Sequence, residues 1–444
     1  MLKTLAKQFG VDRAIAYTVL ARIVQAGGGL LLIALISLFL TQEEQGFYYT
    51  FGSIAAIQIF FELGLNSIIT QYVAHESVHL TWTTDQMPGG DPVHLSRLSS
   101  LLHFSIKVFS VLALVIFIAL EISGYYFFTE YGNSEVRWQL PWQAIALSTS
   151  LMMIINPVLA FLEGLGKVKE VARMRLGQSI LNIITIALVF LFHGNLLALG
   201  IAGLISFCYL LACVLLSHYR SLLVFIYRQK GKWVVHYWKE IFPYQYKIAL
   251  SWVSGYFIFQ LFNPVLFAME GAVVAGQMGM TLAALSGIST LSMSWINTKV
   301  PLFSGMIAQQ KFAELDVVFD RTTKQLMLAN IGLIILFMVF VLGMRMLGIS
   351  LSERFLPMWA LILLSATIVA NQLVFSWATY LRCHKQEPYL LNSIVGGVLC
   401  AASTFFLGNR FGLIGIVAGY TFLTIIIGLP WAYIVFKKRK IQWH

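Results

Sequence analysis

The chain has 444 residues, 59% of them hydrophobic and only 11% charged, with a mean hydropathy of +0.79. A soluble domain is about 45–50% apolar and about 25% charged, so lipid is the solvent for most of this chain; a soluble enzyme, a secreted disulfide scaffold and a disordered protein are excluded. The net charge of +11 suits the positive-inside rule of membrane proteins better than a nucleic-acid partner, and none is expected.

Twelve apolar segments follow, each roughly 17–28 residues and so long enough to cross a bilayer as a helix. They are Ile15–Leu40, Phe47–Ala74, Leu101–Tyr126, Pro141–Leu162, Leu176–Phe192, Leu196–Leu216, Ile248–Met269, Ala272–Ile296, Leu326–Met344, Pro357–Leu381, Tyr389–Leu407 and Leu413–Phe436. The first lacks a cleavage site and exceeds a signal core, so it is expected to be retained. None shows the alternation of a barrel strand. Placing the N-terminus inside puts 25 of the 30 Lys and Arg residues on inner connections and helix edges, four outside, and Arg22 within the first segment. That asymmetry predicts twelve helices with both termini cytoplasmic. Gln45 and Asn133 then fall in outer turns.

The longest inner connection, His218 to Lys247, mixes cations with Trp and Tyr and reads as an interfacial segment. Leu199-Gly200-Ile201-Ala202 in the sixth segment is echoed by Ile414-Gly415-Ile416-Val417 in the twelfth. Segments six apart cross in the same direction, so the fold expected is an all-α polytopic membrane protein of two parallel six-helix lobes. The lobes would be residues 1–217 and 248–444, the latter with a short basic tail, joined by a cytoplasmic linker at 218–247.

Polar residues inside the segments are the candidate site. Arg22 lies about 10 Å from the inner end of the first helix. It is read either as a cation for an anionic substrate such as phosphate or as a side chain that snorkels to headgroups. Glu62 sits about 18 Å from the inner end of the second, too deep for a short carboxylate to reach water. It must be protonated, paired with a cation such as Arg22, or open to a cavity. Gln25 and Asn66 share that network. Gln178, Asn182, Gln260, Asn263, Asn371 and Gln372 are candidate lining residues, or serve only helix–helix hydrogen bonding. Gly27, Gly28 and Gly29 in the first helix and Pro264 in the seventh are candidate hinges; tight packing would also explain the glycines. Asn156-Pro157 is a similar feature.

His75-Glu76-Ser77-Val78-His79 spells the H-E-x-x-H pattern of zinc proteases, but lacks an obvious third ligand; His94 is the nearest later histidine. No metal is expected. Neither a phosphate-binding nor a dinucleotide loop occurs, so no cofactor is expected. The cysteines form no paired motif.

Phe39, Thr41, Glu43, Glu44, Gly46 and Tyr49, then Phe61-Glu62-Leu63-Gly64-Leu65-Asn66, together with Phe161-Leu162-Glu163-Gly164-Leu165-Gly166-Lys167 and Leu199-Gly200-Ile201, resemble the Wzx-like polysaccharide flippases. These belong to the multidrug/oligosaccharidyl-lipid/polysaccharide (MOP) exporter superfamily. Gln42 stands where many relatives have Pro. The resemblance implies two six-helix lobes around a central cavity. It implies transport, not enzymatic catalysis, of undecaprenyl-diphosphate-linked oligosaccharides such as O-antigen, capsule or exopolysaccharide units across the bacterial inner membrane. Protons or sodium would be the coupling ion. The substrate-binding residues expected are Arg22, Gln25, Glu62, Asn66, Gln260 and Asn263. The alternatives are an ion-coupled multidrug extruder of the same superfamily and an intramembrane zinc protease.

Overall fold

The computed structural model describes residues 27–29, 31–82, 87–133, 135–384 and 386–443. The apolar segments are helices, because in lipid every backbone amide and carbonyl must be satisfied within its own segment. In chain order they are α1 (Gly27–Phe39), α2 (Gln42–Ala55), α3 (Ile59–Glu62), α4 (Leu65–Ser77), α5 (Pro92–Tyr131), α6 (Gln139–Gly164), α7 (Val168–Leu191), α8 (Leu197–Leu215), α9 (His218–Arg228), α10 (Phe242–Phe259), α11 (Phe262–Glu270), α12 (Ala272–Asn297), α13 (Val300–Ala308), α14 (Phe312–Met346), α15 (Met358–Cys383), α16 (Leu390–Phe422) and α17 (Leu429–Trp443). A two-stranded hairpin, β1 (Leu80–Trp82) and β2 (Pro88–Gly90), precedes α5.

Nine described helices are long and apolar enough to span a membrane, ten if α2 to α4 count as one bent crossing. The last of them runs 54 residues, Leu390–Trp443. At about 1.5 Å per residue it would be about 80 Å long, more than twice a hydrocarbon core. It is two crossings. Gly412 leaves the helix at φ 55°, ψ −133°, and the chain doubles back. A Cβ on Gly408 would lie 3.0 Å from Ile416, one on Gly415 2.1 Å from the Leu407 carbonyl oxygen, and one on Gly419 2.3 Å from Ser403. These pairs close in on Gly412 from both sides, the signature of an antiparallel hairpin zipped by small residues. Glu270 closes the turn by accepting the Leu413 amide at 2.6 Å. Among the described residues, each of the twelve apolar segments is represented by helix, the first by α1. The chain is a multi-pass, all-α membrane protein.

Two compact units emerge, each described by itself. One comprises Ile54–Glu130 and Ser134–Trp252, with Gly28 at its margin; the other comprises Gly29–Ser53, Tyr131–Asn133 and Val253–His444. In the first unit, Trp142 is buried against α5 and donates to the Leu120 carbonyl at 3.1 Å. Gly124 makes room for it, since a Cβ there would lie 2.0 Å from the indole. Gly200 and Gly203 of α8 close on Ala144 and Ser148 of α6. Gly415, the counterpart of Gly200 in the repeated sequence, instead meets Leu407 of its own hairpin, so the two similar sequences pack differently.

In the second unit, Leu315, Phe319, Thr322 and Leu326 form one buried stripe at helical spacing along α14. This stripe packs with Phe303, Tyr380 and Phe436. It also explains why α14 starts at Phe312 although its apolar run starts at Leu326: an amphipathic prefix extends the helix beyond the lipid-contacting part. Elsewhere in this unit, Gln45 is 1% exposed. Its amide donates to the carbonyls of Gly276 (2.8 Å) and Arg354 (3.1 Å). The expectation that Gln45 lies in an exposed turn is therefore corrected. Gly46 permits the burial, because a Cβ there would lie 1.9 Å from the Ala272 oxygen.

Candidate functional site

The second apolar segment, read from the sequence as one helix, is broken. Helical turns run from Gln42 to Glu62, Leu63 and Gly64 take left-handed conformations (φ 45° and 71°), and α4 resumes at Leu65. The two parts are bent by 41°. Gly64 satisfies two demands at once: its positive φ, and contact with α10, where a Cβ would lie 2.5 Å from Ile248 Cγ2. No backbone hydrogen bond is carried across Leu63–Gly64. The amides that open α4 therefore form a positive helix end. Its N-cap, Gly64, offers no side-chain cap.

Glu62 thus ends one helical stretch and Asn66 begins the next. Asn66 Nδ2 donates to Glu62 Oε2 at 3.3 Å, and Asn66 Oδ1 is buried with no partner among the described residues. The break is braced by α6: Thr70 donates to the Ala160 carbonyl at 3.0 Å, and Gly164 lets Val73 approach.

Among the described residues, the cation whose charge acts on Glu62 is Arg175. The turn from α6 to α7 is made by Gly166 at φ 81°, which folds α7 back so that Arg175 Nε reaches Glu163 Oε1 at 3.5 Å. The same guanidinium acts electrostatically on Glu62. Sequence reasoning assigned this role to Arg22. Arg22 and Gln25 lie outside the described residues, and in the sequence Arg175 is one of four cations, with Lys167, Lys169 and Arg173, between the fourth and fifth apolar segments. The spacing of Arg175, Gln178 and Asn182 along one helical face is the signal that was available. Asn182 itself is engaged in a helix–helix hydrogen bond, with Ser206 Oγ at 3.4 Å. Gly28 packs on the same helix, where a Cβ would lie 2.2 Å from Ile183; Gly27 and Gly29 have nothing within 4 Å.

The other polar residues belong to the second unit. The seventh segment breaks at Gln260–Leu261, between α10 and α11, and Pro264 lies in the first turn of α11, where its missing N–H costs nothing. Pro157, by contrast, sits inside an uninterrupted α6. Asn263 donates to Ser53 Oγ at 3.0 Å and leaves a buried Oδ1 without a partner among the described residues. Asn371 donates to Tyr420 and Gln372 to the Ser289 carbonyl. These are helix-to-helix hydrogen bonds.

The H-E-x-x-H segment closes α4. Buried Glu76 accepts from Arg97 Nε at 2.7 Å and lies 2.6 Å from His94 Nδ1. His94 stacks on His79 at 4.2 Å between ring centroids. Arg97 continues to Glu240 at 2.6 Å, and Tyr72 donates to the Glu240 carbonyl. A zinc protease needs this glutamate as a general base. Here it is held by a cation and an imidazole, and no metal-holding group of three ligands occurs among the described residues. The cluster instead fastens the 218–247 segment to α4 and α5. Burial opposes ionisation of Glu240, but the His236 amide and Arg97 outweigh it and hold its carboxyl below the usual range.

No protein-family model and no curated protein sequence matches the chain. Solved structures do. An inward-facing multidrug-resistance MATE transporter of the MOP superfamily is similar at TM-score 0.63 and 14% identity, over 95% of this chain and 99% of that one. The MATE multidrug transporter DinF-BH gives 0.60 at 15% identity, over 96% and 95%. The lipid II flippase MurJ in an inward closed conformation gives 0.58 at 12%, over 97% and 90%. At these identities the likeness establishes the fold, which is that of the MOP exporters.

Proposed function

We propose that this protein, built on the MOP exporter fold, is a flippase of the Wzx type. It translocates undecaprenyl-diphosphate-linked oligosaccharides across the bacterial inner membrane by alternating access. Its basic face and both termini lie in the cytoplasm. The observation that supports this reading best is that Glu62 borders an uncapped helix start at Gly64 and feels the charge of Arg175. A guanidinium and open helix amides are the chemistry that receives a diphosphate. The arriving diphosphate competes with Glu62 for Arg175 and links substrate binding to cation or proton uptake by the released carboxylate. Arg22, Gln25, Gln260 and Asn263 remain proposed contacts to the substrate, with the glycines of the first helix and Pro264 as proposed hinges.

A second reading, an ion-coupled multidrug extruder, is favoured by the carboxylates Glu62 and Glu163, which suit a cationic drug. Ligand-dependent thermal stabilisation of the purified protein separates the two. A ligand at 100 times its Kd stabilises by about 2.7 kcal/mol. The flippase reading expects this from a diphosphate-linked oligosaccharide and its loss in Arg175→Gln. Stabilisation by lipophilic cations alone, strengthened in Arg175→Gln, would establish the extruder instead.

A further inference from the structure

The tail helix α17 has two working faces. Ala432, Phe436 and Lys440 turn inward: Ala432 and Phe436 are buried, Tyr389 donates to the Ala432 carbonyl at 2.9 Å, and Lys440 pairs with Asp316 at 3.0 Å. The adjoining face carries Trp431, Val435, Lys438, Arg439 and Gln442. It lines a cleft of about 240 Å³ whose other wall is the start of α16, with Leu391 and Asn392. Lys440 is thus spent on the fold, whereas Lys438 and Arg439 are exposed at the cleft.

Three features of the cleft converge on one ligand chemistry. First, α16 is a long helix whose N-cap, Tyr389, makes no side-chain cap, and the amides of Leu391 and Asn392 have no backbone acceptor among the described residues. Its positive end opens into the cleft. Second, two cations and the Asn392 amide flank that end, and Gln442 accepts from Arg439 Nη1 at 3.1 Å, which holds the guanidinium in place. Third, the polar end passes directly into an apolar flank: Leu391 is 62% exposed, and Val435 and Trp431 line the cleft across from it. Trp431 stands at the junction, the position indoles favour at a membrane interface. The volume falls below the about 300–1,000 Å³ of a site that swallows a whole organic ligand. It suits a headgroup whose tails stay outside.

We propose that this cleft is a binding site for an anionic diacyl phospholipid. The phosphodiester sits between the α16 start, Lys438 and Arg439, and the acyl chains run along Leu391 and Val435. A phosphate there could come from a bilayer phospholipid, from a polyprenyl diphosphate or from free phosphate; the exposed apolar flank favours the first. The site is independent of the Glu62–Arg175 region.

The test is native mass spectrometry of the full-length protein in detergent, titrated separately with phosphatidylglycerol, phosphatidylcholine, undecaprenyl diphosphate and inorganic phosphate. Each basic group near an anionic headgroup contributes about fivefold, so the double variant Lys438→Gln/Arg439→Gln should lose about thirtyfold in phosphatidylglycerol affinity. Lys437→Gln, which removes a neighbouring charge outside the cleft, should change it little. Equal lipid-free melting temperatures show that both variants are folded. If the double variant has melted, Asn392→Ala and Lys438→Gln singly replace it, each with a several-fold loss expected. Equal retention of phosphatidylcholine and phosphatidylglycerol would overturn the proposal. So would loss of only undecaprenyl diphosphate or only inorganic phosphate in the double variant, or an unchanged phosphatidylglycerol affinity.

Discussion

Gly64→Ala discriminates between a broken and a continuous second crossing by the sign of its effect. In a continuous helix, replacing glycine by alanine stabilises by about 0.5–1 kcal/mol. In the structure, Gly64 has φ 71°, and its missing Cβ would lie 2.5 Å from Ile248 Cγ2. A left-handed conformation costs an alanine about 1–2 kcal/mol. Cγ2 of a β-branched side chain is close to its own backbone and yields little, so the overlap adds about 1–3 kcal/mol. The expected loss is therefore about 2–5 kcal/mol. Ile248→Ala in the same chain should recover the steric part and leave the conformational part, giving a coupling of about 1–3 kcal/mol in the double-mutant cycle. Chemical unfolding in detergent, followed by tryptophan fluorescence, measures all four proteins. A Gly64→Ala protein as stable as the parent, or more so, would refute the broken helix and with it the helix end assigned to the site.

Arg354 donates to the Leu40 and Thr41 carbonyls at the end of the first crossing and to Gln45. Arg354→Ala should cost about 3 kcal/mol, and Lys should recover less than half, because an ammonium cannot reproduce the fork. Gly415→Ala should destabilise by about 1–3 kcal/mol, since its Cβ would press on a backbone oxygen. Gly332→Ala, with nothing within 4 Å, should be neutral or slightly stabilising. Parallel thermal scans compare the two. Glu240 ionises more readily folded than unfolded. Its contribution is therefore complete above an unfolded value of about 4.3 and is lost as pH falls through the lower folded value. Hydrogen exchange of residues 218–247 should rise across that acid window in the parent. In Glu240→Gln it should already be raised at pH 7.

The crossings were legible in the sequence because lipid forces each into a long apolar run. What the runs did not show is where helices stop and start. Hydropathy marks contact with lipid, so α7 and α14 begin well before their apolar stretches, at Val168 and Phe312. The break at Leu63–Gly64 is selected by the approach of Ile248, a partner far along the chain, and Gly64 alone does not announce it. Gln260–Leu261 was better signposted, with Pro264 close by. Within the site, Glu62 and Asn66 stood out as polar groups one turn apart in an apolar run. Arg175 did not, because it sits at the edge of its run among other cations, and only the Gly166 turn brings it back to Glu163. Gln45 looked like a turn residue for a similar reason: its carbonyl partners, Gly276 and Arg354, are more than 200 residues away.

Transport of a fluorescent undecaprenyl-diphosphate oligosaccharide in proteoliposomes tests the account most directly, with the parent, Arg175→Ala, Arg175→Lys and Glu62→Gln measured at equal incorporation. The account predicts flipping by the parent, none above empty vesicles for Arg175→Ala and partial recovery for Arg175→Lys. It predicts retained binding with an altered pH dependence for Glu62→Gln. Undiminished flipping by a folded Arg175→Ala protein, together with an unchanged pH profile for Glu62→Gln, would contradict it.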